Sequence, residues 1–300
     1  MRPKTHIGRA ARERPPEHSV MEPNRPMKPF LAVALGVGLP MLAIPAIAGI
    51  PMAPFLLGLV FLALLAPVLV LTRQYEGREA MRHLLRRVLI WRFSPMRWAV
   101  IVFAMPLLTI AVAAASGTLS TPEDGWSPEV TSYLMGTLIV GALAFNIWEE
   151  TAWGGFFQTR LMAKHGLLRA AVMTALPFAV IHIPLSFEGN WTWSEAGVGL
   201  ATLFLAAPFY RYLLGMHLLD TRGSILAIGI QHASWNEATK LDGVQGDWQV
   251  LVAVALLTLL VAVGRRVWRG RNPIGIEQEK AAAASWLAVD RRDAPIKGRA

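Results

Sequence analysis

The sequence predicts an all-α, polytopic membrane bundle of about eight transmembrane helices, with one further amphipathic helix lying in the interface. Three observations predict it. Of 300 residues, 54% are hydrophobic and 16% charged, with a mean hydropathy of +0.42, a balance foreign to soluble domains. Apolar runs long enough to cross a hydrocarbon core of about 30 Å recur along the chain. The basic residues fall in alternate connections between those runs.

Residues 1–29 hold seven Lys or Arg and six Pro without apolar periodicity, and read as a disordered basic tail. The first apolar run begins only at Phe30 and is long enough to span, so the tail is not a cleavable signal and is expected to remain. Candidate spans follow near 30–50, 53–72, 98–116, 131–150, 169–186, 196–218, 223–238 and 248–264. The seventh is short and carries His232, Trp235 and Asn236. Between the second and third, residues 76–93 place Met81, Leu84, Leu85, Val88 and Leu89 at helical spacing, the pattern of an interfacial helix on anionic lipid. Three parts result: a basic tail at 1–29, a transmembrane domain at 30–264 with its core at about 131–238, and a second basic tail at 265–300.

The formal charge of +9 could suggest nucleic acid, but the positions say otherwise. With the amino terminus cytoplasmic, 28 of the 29 Lys and Arg fall on the cytoplasmic side, Arg160, Arg211 and Arg222 among them. Lys240 alone is left for the opposite loops. This is the positive-inside pattern, and it places both termini in the cytoplasm of a multi-pass protein of the cell membrane. Membrane lipids are the expected partners, and nucleic acid is not. The absence of Cys removes disulfides, thiolate metal sites and cysteine nucleophiles, which leaves oxygen and imidazole groups for any chemistry.

Ionisable residues inside spans are costly and mark function. Glu149 and Glu150 end the fourth apolar run, His182 lies in the fifth, and His232 and Asn236 lie in the seventh. Counting helical rise from Arg160, Arg169 and Arg222 as boundary markers puts Glu149, His182, His232 and Asn236 at roughly 16, 20, 15 and 21 Å, near mid-membrane. His232 and Asn236 are four apart and share a face, as do Phe178 and His182. Glu149 and Glu150 point about 100° apart, so one helix face is expected to take only one of them. A carboxylate, two imidazoles and a carboxamide can activate water and stabilise an oxyanion, and Glu149, His182 and His232 also supply a Zn2+ ligand set. Trp153 and Phe178 are expected to pack around the site.

These residues resemble the CPBP intramembrane proteases, which include type II CAAX prenyl endopeptidases and bacteriocin-processing or bacteriocin-immunity proteins. The family carries EExxxR, FxxxH and HxxxN or HxxxD on three helices. Glu149-Glu150, Phe178 with His182, and His232 with Asn236 stand in that order, and EETAWGGFFQTRL keeps Trp153, Gly155 and Arg160 of the first motif's surroundings. The resemblance implies an endopeptidase acting on a membrane-associated or lipidated peptide that enters from the bilayer. Glu149 would activate water with His182, Glu150 would support them, and His232 and Asn236 would stabilise the oxyanion or complete a metal site. Metal-dependent and glutamate-dependent mechanisms both stay open. Gly154 occupies the arginine position of EExxxR, which also admits a non-catalytic scaffold or an immunity protein. Transport through the same buried groups is the remaining reading, and no internal repeat with paired broken helices supports it.

Overall fold

The computed structural model describes residues 25–246, 248–268 and 275–288. Most of the basic tail at 1–29 and much of the segment 265–300 lie outside the described residues. Among the described residues every element is helical, apart from an isolated antiparallel bridge between Leu119 and Val244. The helices are α1 (Met27–Ala48), α2 (Ala53–Glu76), α3 (Arg78–Arg86), α4 (Pro95–Ala115) and α5 (Trp126–His165). They continue as α6 (Leu167–Phe187), α7 (Trp193–Asp220), α8 (Ile225–Ala238), α9 (Trp248–Trp268) and α10 (Ile276–Ser285). Seven of them, all but α3, α8 and α10, are long and apolar enough to cross a membrane.

The solvent logic of a soluble protein is inverted. Ile47, Leu62, Leu107 and Leu205 stand exposed on the outside, while Glu150, Arg160 and Arg211 are buried within. Such a surface suits hydrocarbon, where helices satisfy their own backbone and polar side chains turn inward. The polytopic helical bundle expected from composition is therefore present.

The seventh expected span, 223–238, is the exception in length. Its helix, α8, has 14 residues, and Ile225 together with Ala227–Ser234 is buried. At 1.5 Å per residue it rises roughly 21 Å, so it is an internal strut rather than a lipid-facing span. Ser224 starts it, its hydroxyl accepting the Ala227 N–H at 3.0 Å. Glycine then lets it close on α5. A Cβ at Gly229 would meet the Ile147 Cα at 2.8 Å, and one at Gly141 would meet the Ala233 Cβ at 3.1 Å. Small residues at such crossings are how membrane helices approach closely without a hydrophobic drive between them.

The expected fourth span, 131–150, is only part of a helix of 40 residues. Within α5 a single α-helical turn, Ile147–Glu150, is flanked by π-helical stretches at Gly136–Asn146 and Thr151–Gln158. Every residue from Thr151 to Gln158 is buried. The helix passes through the middle of the bundle, with α6 and α7 on one side and α8 on another. Phe30, Trp153, Phe156 and Phe157 pack edge to face around its second half, with Phe30 and Trp153 centroids 5.5 Å apart.

Two basic positions depart from the expected topology. Arg211 is no loop residue: it is wholly buried in α7. Arg160, used above as a boundary marker, is also buried and forms an ion pair with Glu76 of α2. Both guanidiniums have partners inside the bundle, so charge alone misplaced them. The interfacial helix differs as well. Ala80, Leu84 and Arg87 form its buried face, whereas Leu89 is exposed. Arg87 donates to the carbonyls of Gly155 and Gly223, at 3.0 and 2.9 Å, and to the Thr159 hydroxyl at 3.3 Å. It fastens α3 to α5 and to the turn before α8.

At the same end of the bundle α10 docks. The Glu279 carboxylate accepts the Leu167 N–H at 2.9 Å, and Trp286 lies against Gly223 with the Arg87 guanidinium 5.3 Å from its ring. Gly223 has φ +81°, a conformation that glycine adopts without strain, and a side chain there would strike the indole. At the far end the loops after α4 and α8 clasp. Ser120 N–H donates to the Gly243 carbonyl at 2.8 Å, and Gln245 N–H to that of Thr118 at 3.0 Å.

Candidate active site

The site forms where α5, α6, α7 and α8 meet. Glu149 and Glu150 are both buried, and they point to different sides of the helix. The helix has protein on both sides, so each carboxylate has its own histidine. Glu149 Oε1 lies 3.4 Å from His182 Nε2, and Glu150 Oε1 lies 3.0 Å from His232 Nδ1.

The rings are oriented by their second nitrogens. His182 sits at the end of the regular part of α6, where Nδ1 donates to the Phe178 carbonyl at 2.6 Å. A carbonyl can only accept, so the proton sits on Nδ1 and Nε2 faces Glu149. In His232 the Nδ1–H donates to the Glu150 carboxylate, which leaves Nε2 directed away from that carboxylate. Phe178 separates the two imidazoles, its ring centroid 4.5 Å from that of His182 and 5.9 Å from that of His232. Trp153 packs edge-on to Phe178 at 6.0 Å, which gives both aromatics the packing role expected of them.

Asn236 is half-buried and one turn beyond His232. Its Nδ2 approaches the Asn146 Oδ1 at 3.5 Å, and Asn146 is itself buried one turn before Glu149. Two carboxylates, two imidazoles and two carboxamides thus line one stretch of the α5 surface. Glu149, His182 and His232 have donor types suited to Zn2+, but they do not draw together as a ligand set. Among the described residues no three His, Asp or Glu side chains gather closely enough to hold a metal ion.

Four functional candidates escaped the sequence reading. Arg211 Nη1 donates to Glu150 Oε1 at 2.7 Å. Gln158 accepts from Arg211 Nε and Nη2, at 2.9 and 2.7 Å, and donates back to the Arg211 carbonyl at 2.8 Å. Tyr210 is buried, its ring 5.3 Å from His232 and its hydroxyl without a hydrogen-bond partner among the described residues. Asn146 is the fourth. Each is a polar residue within an apolar run, which is the signal that singled out the histidines; Arg211 was hidden by its resemblance to a loop arginine.

The arrangement has the parts of a hydrolytic centre: a buried carboxylate beside an imidazole, a second imidazole backed by its own carboxylate, and nearby amides. No curated protein matches the chain significantly. Residues 131–238, from the second turn of α5 to the end of α8, match the family described as type II CAAX prenyl endopeptidase Rce1-like. That segment holds every carboxylate, imidazole and carboxamide of the site, and it fits the CPBP resemblance of the three motifs. Over residues 131–238 the chain is therefore similar to the Rce1-like type II CAAX prenyl endopeptidase family.

Proposed function

We propose that the protein is an intramembrane endopeptidase that hydrolyses a peptide bond of a lipidated or membrane-associated peptide through a water activated by Glu149 and His182. The observation that carries this reading is the pair itself. A buried carboxylate lies 3.4 Å from an imidazole nitrogen whose ring is fixed by a backbone carbonyl. A water bridging the two loses a proton to Glu149 as its oxygen adds to the scissile carbonyl carbon. Charge gathers on the carbonyl oxygen, where the Asn236 amide donates a hydrogen bond and His232, its Nδ1–H held by Glu150, donates a second one when Nε2 also carries a proton. The carbon–nitrogen bond then breaks, and the departing amine receives the proton taken from the water.

The donor types would suit a metal, yet their spacing does not form a ligand set, so the reaction is derived from the side chains alone. Chelation is accordingly expected to leave the rate unchanged; a rate lost to phenanthroline and restored by zinc would overturn the glutamate route. The scaffold reading rested on Gly154, and a guanidinium already beside Glu150 supports catalysis instead. In this reading the protein lies in the cell membrane with both termini cytoplasmic, and the substrate arrives through the lipid.

The test is cleavage of a quenched fluorescent peptide carrying a prenylated cysteine, with the full chain in lipid nanodiscs. Glu149→Gln and His182→Ala are expected to slow cleavage by at least about 100-fold while insertion and helicity stay unchanged. Cleavage by both variants at the wild-type rate would exclude this pair as the centre.

A further inference from the structure

The guanidinium of Arg211 stands among groups that the proposed reaction does not itself consume. It is wholly buried, as is Glu150, and the two are 2.7 Å apart. The oxygen that accepts from Arg211 is the same oxygen that accepts from His232 Nδ1. The rest of the fork is held by Gln158, and the Phe178 ring lies 5.3 Å from its carbon. A permanent cation is therefore locked, from a third helix, onto the carboxylate that orients the second histidine.

Gly154 belongs to the same arrangement. A Cβ at that position would lie 2.7 Å from Glu150 Oε2 and 3.6 Å from Arg211 Nη2, and would collide with the Ile228 Cδ1. Any side chain at 154 would enter the space that this carboxylate, the guanidinium and Ile228 enclose. The missing side chain on α5 and the buried arginine on α7 are two halves of one fit.

We infer that Arg211 is a positioning residue of the site: acting through Glu150 it fixes the ring of His232, and glycine at 154 is what gives its guanidinium room. The inference rests on the proposed hydrolysis only for its consequence, since the geometry concerns His232 alone. With Arg211 present, the charge on Glu150 is already compensated, so the Nδ1 proton stays on the imidazole. Without it, the buried carboxylate loses its permanent cation and the contact that fixes its Oε1, so nothing holds that oxygen on Nδ1. The ring then loses the fixed state in which Nε2 meets the substrate.

The experiment reads both levels on the full chain in nanodiscs. Ring 15N NMR of labelled histidine reports whether His232 Nδ1 holds its proton, and the prenylated fluorogenic peptide reports cleavage. Wild type is expected to show a resolved one-bond N–H coupling at that nitrogen. Arg211→Ala is expected to lose the coupling and to cleave on the order of 100-fold more slowly. Arg211→Gln, which keeps a donor but no charge, answers the same question if the alanine variant does not fold. Moving the arginine back, in Gly154→Arg/Arg211→Ala with Ile228→Ala to open the space, is expected to restore the coupling and most of the rate. An unmoved His232 signal with wild-type cleavage in Arg211→Ala or Arg211→Gln would overturn the inference. If wild type leaves the peptide intact while the coupling still depends on Arg211, the proposed function falls and the positioning role stands.

Discussion

Asn236 and Asn146 face each other across the junction of α8 and α5, with Nδ2 of the first 3.5 Å from Oδ1 of the second. If Asn236 donates to the oxyanion, Asn236→Ala should lower kcat by about 100-fold or more with little change in KM. Asn146→Ala, which removes only the group that steadies Asn236, should cost less, and the same kcat and KM measurements separate the two. An equal loss from both would instead make the carboxamides a single unit. The glutamates and histidines could be found in the sequence because a carboxylate or imidazole in an apolar run has no bland explanation. Arg211 could not. A guanidinium nine residues before the end of α7 looks like a boundary marker until Glu150 is seen beside it, and Arg160 misled in the same way because its partner, Glu76, lies on a different helix. Local sequence reports what a side chain is, whereas pairing across 61 or 84 positions is decided by packing.

The spacing of the candidate site is set by how closely α8 can approach α5, and Gly229 sets that approach. A methyl group there would press on the Ile147 backbone at 2.8 to 3.0 Å, where no side-chain rotation can relieve it. Gly229→Ala should therefore destabilise the bundle by roughly 1–3 kcal/mol, the usual cost of overpacking. It should also weaken the contact between His232 and Glu150. A thermal shift in detergent and the His232 ring signal check the two effects together. The helices themselves were legible from apolar runs, and the three motifs did fall on α5, α6 and α8. The length of α5 was not legible: Glu149 and Glu150 resemble the end of a span only while TAWGGFFQTRL is read as leaving the membrane. The interfacial helix shows a related limit. Its hydrophobic stripe was evident, but an arginine, Arg87, proved to belong to the buried face because backbone carbonyls of α5 and the α8 entry receive it.

At the scale of the molecule, an apolar exterior surrounds a polar seam, and the two ends of the bundle differ in their loops. Because the chain has no Cys, single cysteines report topology directly. In sealed cells an impermeant maleimide is expected to label Asp124→Cys at once and Arg92→Cys only after permeabilisation; the reverse order would invert the orientation. The seam itself is fastened twice. At one end Trp286 and Arg87 close on Gly223, just before α8, and at the other Gly243, just after it, is clasped by Ser120. A short helix pinned at both ends cannot slide along its own axis. Whatever motion exposes His232 must be a sideways swing, a door rather than a drawer, and a substrate passing it would travel in the plane of the membrane.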